Sequence, residues 1–199
     1  MKRLKLLMSF AVLGVAWTVS LGAGSASATE LTCNGSLCPV GTVIEGHSEG
    51  HVVLDAPIGK IECSVTSEGN VASPGSATTT PTGKTGFTSY SCTGGAVVTV
   101  LNPGTGETHT AGASNNGNGT ITSTGSEVTV ETFGLHCIFR TNNTDVGVIT
   151  GSNNTGGLAT FDLSATIPRV GGRSGAFCGS SAPYTGSSVI TSPTNLAID

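Results

Sequence analysis

The sequence predicts an all-β protein, a single antiparallel β-sandwich of immunoglobulin-like or jelly-roll-like character that is crosslinked by disulfides. Glycine is abundant, with 30 residues among 199, and only 10% of the residues are charged. Several stretches place an apolar residue at every second position, which is the period of a strand with one buried face. No stretch of the sequence shows the longer period of an amphipathic helix. Strands joined by many turns therefore account for the composition.

The N-terminal residues are typical of a secretory signal peptide. Three cationic residues lie among the first five, residues 6–22 are largely apolar, and residues 26–28 offer a small-residue cleavage site. A retained transmembrane anchor is the alternative, but polar residues interrupt the apolar stretch and no charged stop follows it. We therefore expect residues 1–28 to be removed and residues 29–199 to form one secreted domain with no membrane segment.

The expected mature chain is acidic. Three of the eight Lys and Arg residues lie in the signal peptide, whereas all twelve Asp and Glu residues follow it, which leaves a formal charge of −7. This balance argues against nucleic acid as a partner, because phosphates require a cationic surface. An acidic surface keeps an exported protein in solution.

All cysteines lie in the expected mature chain, at Cys33, Cys38, Cys63, Cys92, Cys137 and Cys178. In an exported protein six cysteines favour three disulfides, for which fifteen connectivities exist. No Cys-x-x-Cys pair is present, which weakens a zinc or redox alternative. Residues 61–65 and 135–139 are similar segments with an inward Cys, and each is followed by a later Cys. The simplest connectivity therefore pairs the cysteines in sequence order.

The first part of the mature chain predicts short strands and one long loop. Residues 42–45, 51–54 and 60–65 are predicted strands, the last with strict alternation of inward and outward residues. Residues 66–85 are rich in Gly, Ser, Thr and Pro. Such a stretch is typical of a surface loop, with an edge strand inside it as the alternative.

Two hairpins are predicted next. Residues 87–92 and 96–101 flank one hairpin-like turn, and residues 119–123 and 126–131 flank a second.

The apolar alternation then slips by one position, which predicts a turn or bulge at residues 132–134. Residues 159–167 alternate without interruption and are the clearest strand of the chain. Residues 186–191 and 194–198 are expected to be short strands that dock on the core.

Several motifs of the mature chain occur in one order. They are Ile61-Glu-Cys63, the run from Asn118 to Glu131, His136-Cys137, and Ala165-Thr-Ile-Pro-Arg-Val-Gly-Gly-Arg-Ser-Gly-Ala-Phe-Cys178. With the signal peptide, this order resembles that of a large group of uncharacterised secreted proteins from actinobacteria. The resemblance covers most of the mature chain and implies an exported bacterial β protein. It implies no activity.

Two arginines are candidates for a binding site. Arg169 and Arg173 flank a Gly-Gly pair and could present a small anion site through their guanidinium groups and free backbone N–H groups. The favoured alternative is that both are ordinary loop charges or that either arginine pairs with Asp162 or Glu131.

Two histidines are weak candidates for metal ligands. His47 and His51 lie near Glu45, Glu49 and Asp55, which supply ligand types that zinc accepts. On adjoining strands, however, their geometry depends on the turn between them. We expect solvated polar residues here, with no metal and no cofactor.

No set of residues amounts to a catalytic site, so no catalytic residue is assigned. We expect a non-catalytic secreted or cell-envelope-associated protein, a binding or structural module whose partner is an envelope or extracellular polymer or a protein. The alternative is an extracellular hydrolase that acts on envelope polymers through paired carboxylates. Its candidates are Glu127, Glu131, Asp145 and Asp162. A third possibility is a coat protein that self-associates through an edge strand.

Overall fold

A computed structural model describes residues 29–76, 79–110 and 117–199, and the predicted signal peptide lies outside the described residues. The all-β class is confirmed. The described part contains the strands β1 (Thr29–Cys33), β2 (Ser36–Leu37), β3 (Val43–Ser48), β4 (Val52–Ala56), β5 (Gly59–Ser73), β6 (Gly75–Ser76), β7 (Thr82–Cys92), β8 (Val97–Asn102), β9 (Thr105–Thr110), β10 (Asn118–Thr124), β11 (Glu127–Thr132), β12 (Leu135–Arg140), β13 (Thr144–Thr150), β14 (Thr160–Pro168), β15 (Ser181–Ser192) and β16 (Leu196–Ile198). Its helical segments are α1 (Ser152–Thr155) and the 3-10 turns Thr93–Gly95 and Ala176–Cys178.

Eight strands close into a ring, so the predicted single sandwich is wrong. Hydrogen bonds join the strands in the order β14-β13-β10-β9-β7-β5-β3-β15, and β15 also pairs with β14. These pairings are antiparallel. Closure removes the two outer edges that an open sheet would keep. The result is a closed antiparallel barrel.

One position in the ring is shared by two strands. β3 pairs with the second half of β5 and the end of β15. β4 pairs with the first half of β5 and the start of β15. The long strands β5 and β15 therefore run the full height of the barrel.

A separate three-stranded sheet, β12-β11-β8, packs against one end of the barrel. Its residues Val130, Cys137 and Phe139 are fully buried in one hydrophobic cluster with Leu54 and Ile61 of β4 and β5.

The terminal strands fill the opposite end. Leu31 of β1 and Leu196 and Ile198 of β16 form a second cluster with Val71 and Ile149 of the barrel wall.

The two predicted hairpins do not form. β7 does not pair with β8, which instead pairs with β11. β10 pairs with β9 and β13, whereas β11 pairs with β8 and β12. Each of the two turns carries the chain from the barrel to the three-stranded sheet. Turn residues determine only the local direction of the chain, whereas barrel closure decides which strands pair. The hairpin predictions relied on the turn residues and are therefore wrong.

The loop predicted over residues 66–85 consists largely of strand. β5 continues to Ser73 and pairs with β7 over most of its length. Ser67, Gly69 and Val71 alternate along the barrel interior. Because small and polar residues occupy most of these inward positions, they produce no apolar alternation.

The phase slip at residues 132–134 is a two-residue turn, as predicted. β11 and β12 pair directly up to Thr132 and Leu135. Phe133 (φ 49°) and Gly134 (φ 75°) are both left-handed, as a type I′ hairpin requires. The predicted strand at residues 159–167 is also present, as β14.

Three disulfides join Cys33 to Cys38, Cys63 to Cys92, and Cys137 to Cys178. This is the sequence-order connectivity that was predicted. Three crosslinks in one domain indicate an oxidising, extracellular type of environment. Across the described ranges, no helix combines the length and apolarity needed to cross a membrane.

Candidate ligand-binding cavity

An interior cavity of about 180 Å³ lies between the two hydrophobic clusters. Every strand of the ring contributes to its wall. Val128 and Phe139 of the three-stranded sheet line it at one end, and Leu31 and Leu196 of the terminal strands line it at the other. An eight-stranded barrel is just wide enough for side chains to fill it or for one small ligand to occupy it. In this barrel the side chains do not fill the interior completely, and the cavity is the space that remains.

Apolar and very small residues share the wall. Ile121, Val146 and Phe161 supply apolar surface, while Gly83 and Gly106 lie where β7 and β9 pair. A Cβ atom at residue 83 would lie 2.4 Å from the Asn70 carbonyl oxygen, so the close approach of β5 and β7 requires glycine there. Glycines also extend no side chain into the interior, and this preserves the cavity.

Three aromatic rings in the cavity wall contact one another. The Phe87 ring meets the rings of Tyr90 and Tyr184 edge to face, with centroid separations of 5.9 Å in both pairs. The chain contains two tyrosines, and both line the cavity.

Both phenols are uncharged at neutral pH. Burial raises the pKa of Tyr90 to about 12. Burial, reinforced by the neighbouring Tyr90, raises the pKa of Tyr184 well above its ordinary value. Loss of water disfavours the phenolate, which is the cause of both shifts.

Two buried hydroxyl groups on β15 lack a hydrogen-bond partner among the described residues. They are the Tyr184 hydroxyl and Ser188 Oγ. The Tyr90 hydroxyl is near enough to Tyr184 to affect its pKa, but the two groups lack hydrogen-bonding geometry. Ser188 is 2% exposed, and both residues line the cavity. A buried hydroxyl without a partner costs about 1–3 kcal/mol, so most such groups in proteins are satisfied.

Two further polar side chains of the wall are paired with each other. Ser123 Oγ and Thr141 Oγ1 lie 3.0 Å apart and form a hydrogen bond with each other. Among the described lining residues Glu68 carries the only formal charge. It is exposed on β5 between the inward Ser67 and Gly69. The cavity is therefore an uncharged space with free hydroxyl groups.

The arginine candidates do not converge on an anion site. Arg169 Nη1 donates to the Gly175 carbonyl oxygen at 3.0 Å. Arg173 Nη1 donates to Glu127 Oε1 at 2.9 Å, and Arg140 contacts the other oxygen of the same carboxylate. The sequence predicts Asp162 or Glu131 as partners of the arginines, whereas the partner of Arg173 is Glu127.

Glu127 is 5% exposed, and its environment acts on its pKa in two directions. Burial alone would raise the pKa, but the hydrogen bonds and charges of Arg140 and Arg173 outweigh it and hold the pKa below the ordinary value. This ion triad joins β11, β12 and the loop after β14.

The histidine candidates lie on the barrel exterior. His47 is an exposed residue of β3, opposite Val189 and Thr66 in the ladder, and His51 is exposed just before β4. In the part of the chain that the structure covers, no group of three or more His, Cys, Asp or Glu residues is placed to hold a metal ion.

The four candidate carboxylates of the hydrolase hypothesis have separate partners. Glu131 Oε1 lies 3.1 Å from His136 Nδ1, and Asp145 accepts a hydrogen bond of 2.7 Å from Thr122. Asp162 accepts one of 2.5 Å from Ser187. Glu127 is bound by the two arginines described above. None of these four described side chains lines the cavity.

Tyr184 and Ser188 were not identified as functional residues from the sequence. Tyr184 precedes the segment that was predicted as a strand, and Ser188 is one of many serines in the chain. The only signal was the presence of just two tyrosines in 199 residues.

The fold and the cavity together define a closed antiparallel barrel with an uncharged interior site. Comparisons with protein-family models, with curated proteins and with solved structures return no match.

Proposed function

We propose that this chain is an exported, non-catalytic binding protein whose barrel holds a small, largely apolar molecule. The observation that carries the proposal is the interior cavity of about 180 Å³, whose wall holds two hydroxyl groups without a partner in the part of the chain that the structure describes. Binding sites for small molecules are concave and mostly apolar, with a few polar groups that orient the ligand. The mouths and interiors of barrels are common places for them.

Stability supports the same proposal. Empty apolar space costs about 24 cal/mol per Å³, so a cavity of this size costs ~4 kcal/mol relative to a filled core. The two unpaired hydroxyl groups add to that cost. The free energy of unfolding of a domain is only about 5–15 kcal/mol, so the costs of the cavity and of the unpaired hydroxyl groups are large in comparison. A ligand that fills the space and binds the hydroxyl groups would offset them.

The expectation that the partner is an envelope or extracellular polymer or a protein stays a prediction. The same is true of the resemblance to secreted proteins of actinobacteria. The three disulfides agree with export, since such crosslinks persist outside the cytosol.

A thermal-shift titration with toluene tests the proposal. Toluene is close in size to benzene, which occupies an apolar cavity of about 150 Å³ in another protein. We expect toluene to raise the melting temperature, because a ligand at a hundredfold excess over its Kd stabilises the folded state by about 2.7 kcal/mol.

Two valines of β13 provide a matched pair of variants. Val146 lines the cavity, whereas Val148 is 43% exposed. Val146→Phe should fill the cavity and abolish the toluene shift, and Val148→Phe should retain it. If Val146→Phe does not fold, Ile121→Phe takes its place at another wall position. The absence of any toluene shift in the unmodified protein, or an equal shift in all variants, would reject the proposal.

A further inference from the structure

The cavity has a polarity pattern that restricts its ligand. We propose, on the basis of the function proposed above, that it selects uncharged, one-ring molecules that carry a hydrogen-bonding oxygen, which Tyr184 or Ser188 binds. The volume of about 180 Å³ limits the ligand to roughly one ring or an apolar group of equal size.

The anchor groups lie on one strand and point to one side. Tyr184 and Ser188 are four residues apart on β15, and residues at even spacing share a face of a strand. Between them Gly186 has no side chain, and a Cβ there would lie 2.7 Å from Val52 Cγ1. Val52 therefore packs closely against β15 at the residue midway between Tyr184 and Ser188, which are two separate anchor points in the cavity wall.

Charge excludes ionised ligands. No Lys, Arg or His side chain is among the described residues that line the cavity. A carboxylate that moved from water into the cavity would meet no cationic side chain among the described lining residues. An ammonium group would meet no inward carboxylate there. Burying an unpaired charge is far more costly than burying a hydroxyl group that gains a hydrogen bond. Neutral alcohols, phenols and carbonyl compounds fit, whereas fatty acids, aromatic acids and amines do not.

The test compares three ligands of similar size, which are toluene, benzyl alcohol and benzoate. Kd values are measured on the full chain with ¹³C-labelled tyrosine rings, because both tyrosines line the cavity and report on it directly. We expect toluene and benzyl alcohol to bind, and benzoate to bind at least ~100-fold more weakly than benzyl alcohol.

Variants locate the anchor. Tyr184→Phe or Ser188→Ala should raise the ratio of the Kd of benzyl alcohol to that of toluene by about tenfold, because only the alcohol loses a hydrogen bond. Ser187→Ala is the matched control, since Ser187 lies next to Ser188 but donates to Asp162 outside the cavity. It should leave the ratio unchanged.

The outcomes separate the two proposals. If neither toluene nor benzyl alcohol binds, the proposed binding function itself fails. If both bind but neither anchor variant changes the ratio, or if benzoate binds as tightly as benzyl alcohol, the binding function stands and the selection of neutral, oxygen-bearing ligands is overturned.

Discussion

The rings of Phe87 and Tyr184 meet edge to face across the barrel interior, with centroids 5.9 Å apart and planes inclined by 85°. Phe87 lies on β7 and Tyr184 on β15, and these strands are not neighbours in the ring. Aromatic pairs prefer this geometry, which contributes about 0.5–1.5 kcal/mol beyond burial. The contact fixes the Tyr184 ring and thereby the position of its unpartnered hydroxyl group.

Removal of an unpartnered hydroxyl should stabilise the ligand-free protein. Tyr184→Phe and Ser188→Ala each delete a buried group that has no partner among the described residues, so each should raise the free energy of unfolding by about 1 kcal/mol. For a domain of this size that corresponds to an increase in melting temperature of about 2–4 °C. Calorimetry on protein stripped of ligand measures it. Ser187→Ala, which removes a satisfied hydroxyl, should instead lower the melting temperature, and a decrease in all three variants would contradict the assignment.

Stability should fall as the pH rises above 10. The folded-state pKa of Tyr90 is about 12, compared with 10.0 for a free phenol, so between these values the folded state binds more protons than the unfolded state. Below pH 10 the stabilisation is complete, and it is lost as the pH approaches the folded-state pKa. The loss from Tyr90 is about 1.4 kcal/mol per pH unit, and Tyr184 adds a loss of the same sign.

Urea unfolding at a series of alkaline pH values measures this dependence. Tyr90→Phe should reduce the slope of unfolding free energy against pH above pH 10, because it removes the contribution of one phenol to that slope. An unchanged slope in that variant would show that other groups cause the loss.

The ion triad around Glu127 should contribute measurably to stability. Glu127→Gln leaves Arg140 and Arg173 without their carboxylate, and we expect a loss of about 1–3 kcal/mol. This is less than for a fully buried pair, because both guanidinium groups are about half exposed. Glu131→Gln, on the same strand with an exposed partner, should change stability by less than about 0.5 kcal/mol.

The same triad predicts an acid dependence. The folded-state pKa of Glu127 lies below its ordinary value of 4.5, so its contribution is present above pH 4.5 and is lost as the pH falls through the folded-state pKa. The difference in stability between the native chain and Glu127→Gln, from urea unfolding, should therefore shrink below pH 4.5. A difference that stays constant there would contradict the role of the ionised carboxylate.

The turn between β11 and β12 should tolerate asparagine better than phenylalanine. Phe133 is 86% exposed and has φ 49°, a left-handed conformation that disfavours bulky residues. Asn-Gly is the preferred pair in this turn, so Phe133→Asn should stabilise the protein by about 1 kcal/mol. Phe133→Ala removes the ring but keeps the strained backbone and should have little effect. Equal stabilisation by both variants, measured by thermal unfolding, would show that the ring and not the backbone is unfavourable.

Local features of this protein could be predicted from its sequence. The strand at residues 159–167 was predictable because its inward side chains pack against a continuous core. This packing produces strict apolar alternation. The turn at Phe133 was predictable because a one-residue slip must be absorbed within a few residues. Two similar segments that place a cysteine inward predicted the pairs Cys63–Cys92 and Cys137–Cys178, and the short spacing of Cys33 and Cys38 predicted the third.

The part of the cavity wall that β5 forms beyond Val65 could not be predicted from the sequence, because apolar alternation is absent there. Before Val71, the inward positions of β5 beyond Val65 are occupied by Ser67 and Gly69, which line the cavity. Residues that border a cavity need not be apolar and large, so the alternation disappears and the strand resembles a loop. The absence of the pattern and the presence of the cavity have one physical cause.

The sequence by itself determined the all-β class, the three crosslinks and the turn at residues 132–134, because these depend on residues close in the chain or on a repeated local pattern. Only the tertiary structure decided the closure of the barrel, since closure requires β15 to pair with β3, whose residues lie at the other end of the described chain. It also decided the site. Tyr184 and Ser188 became unpartnered hydroxyl groups in an apolar cavity only when eight strands closed around them.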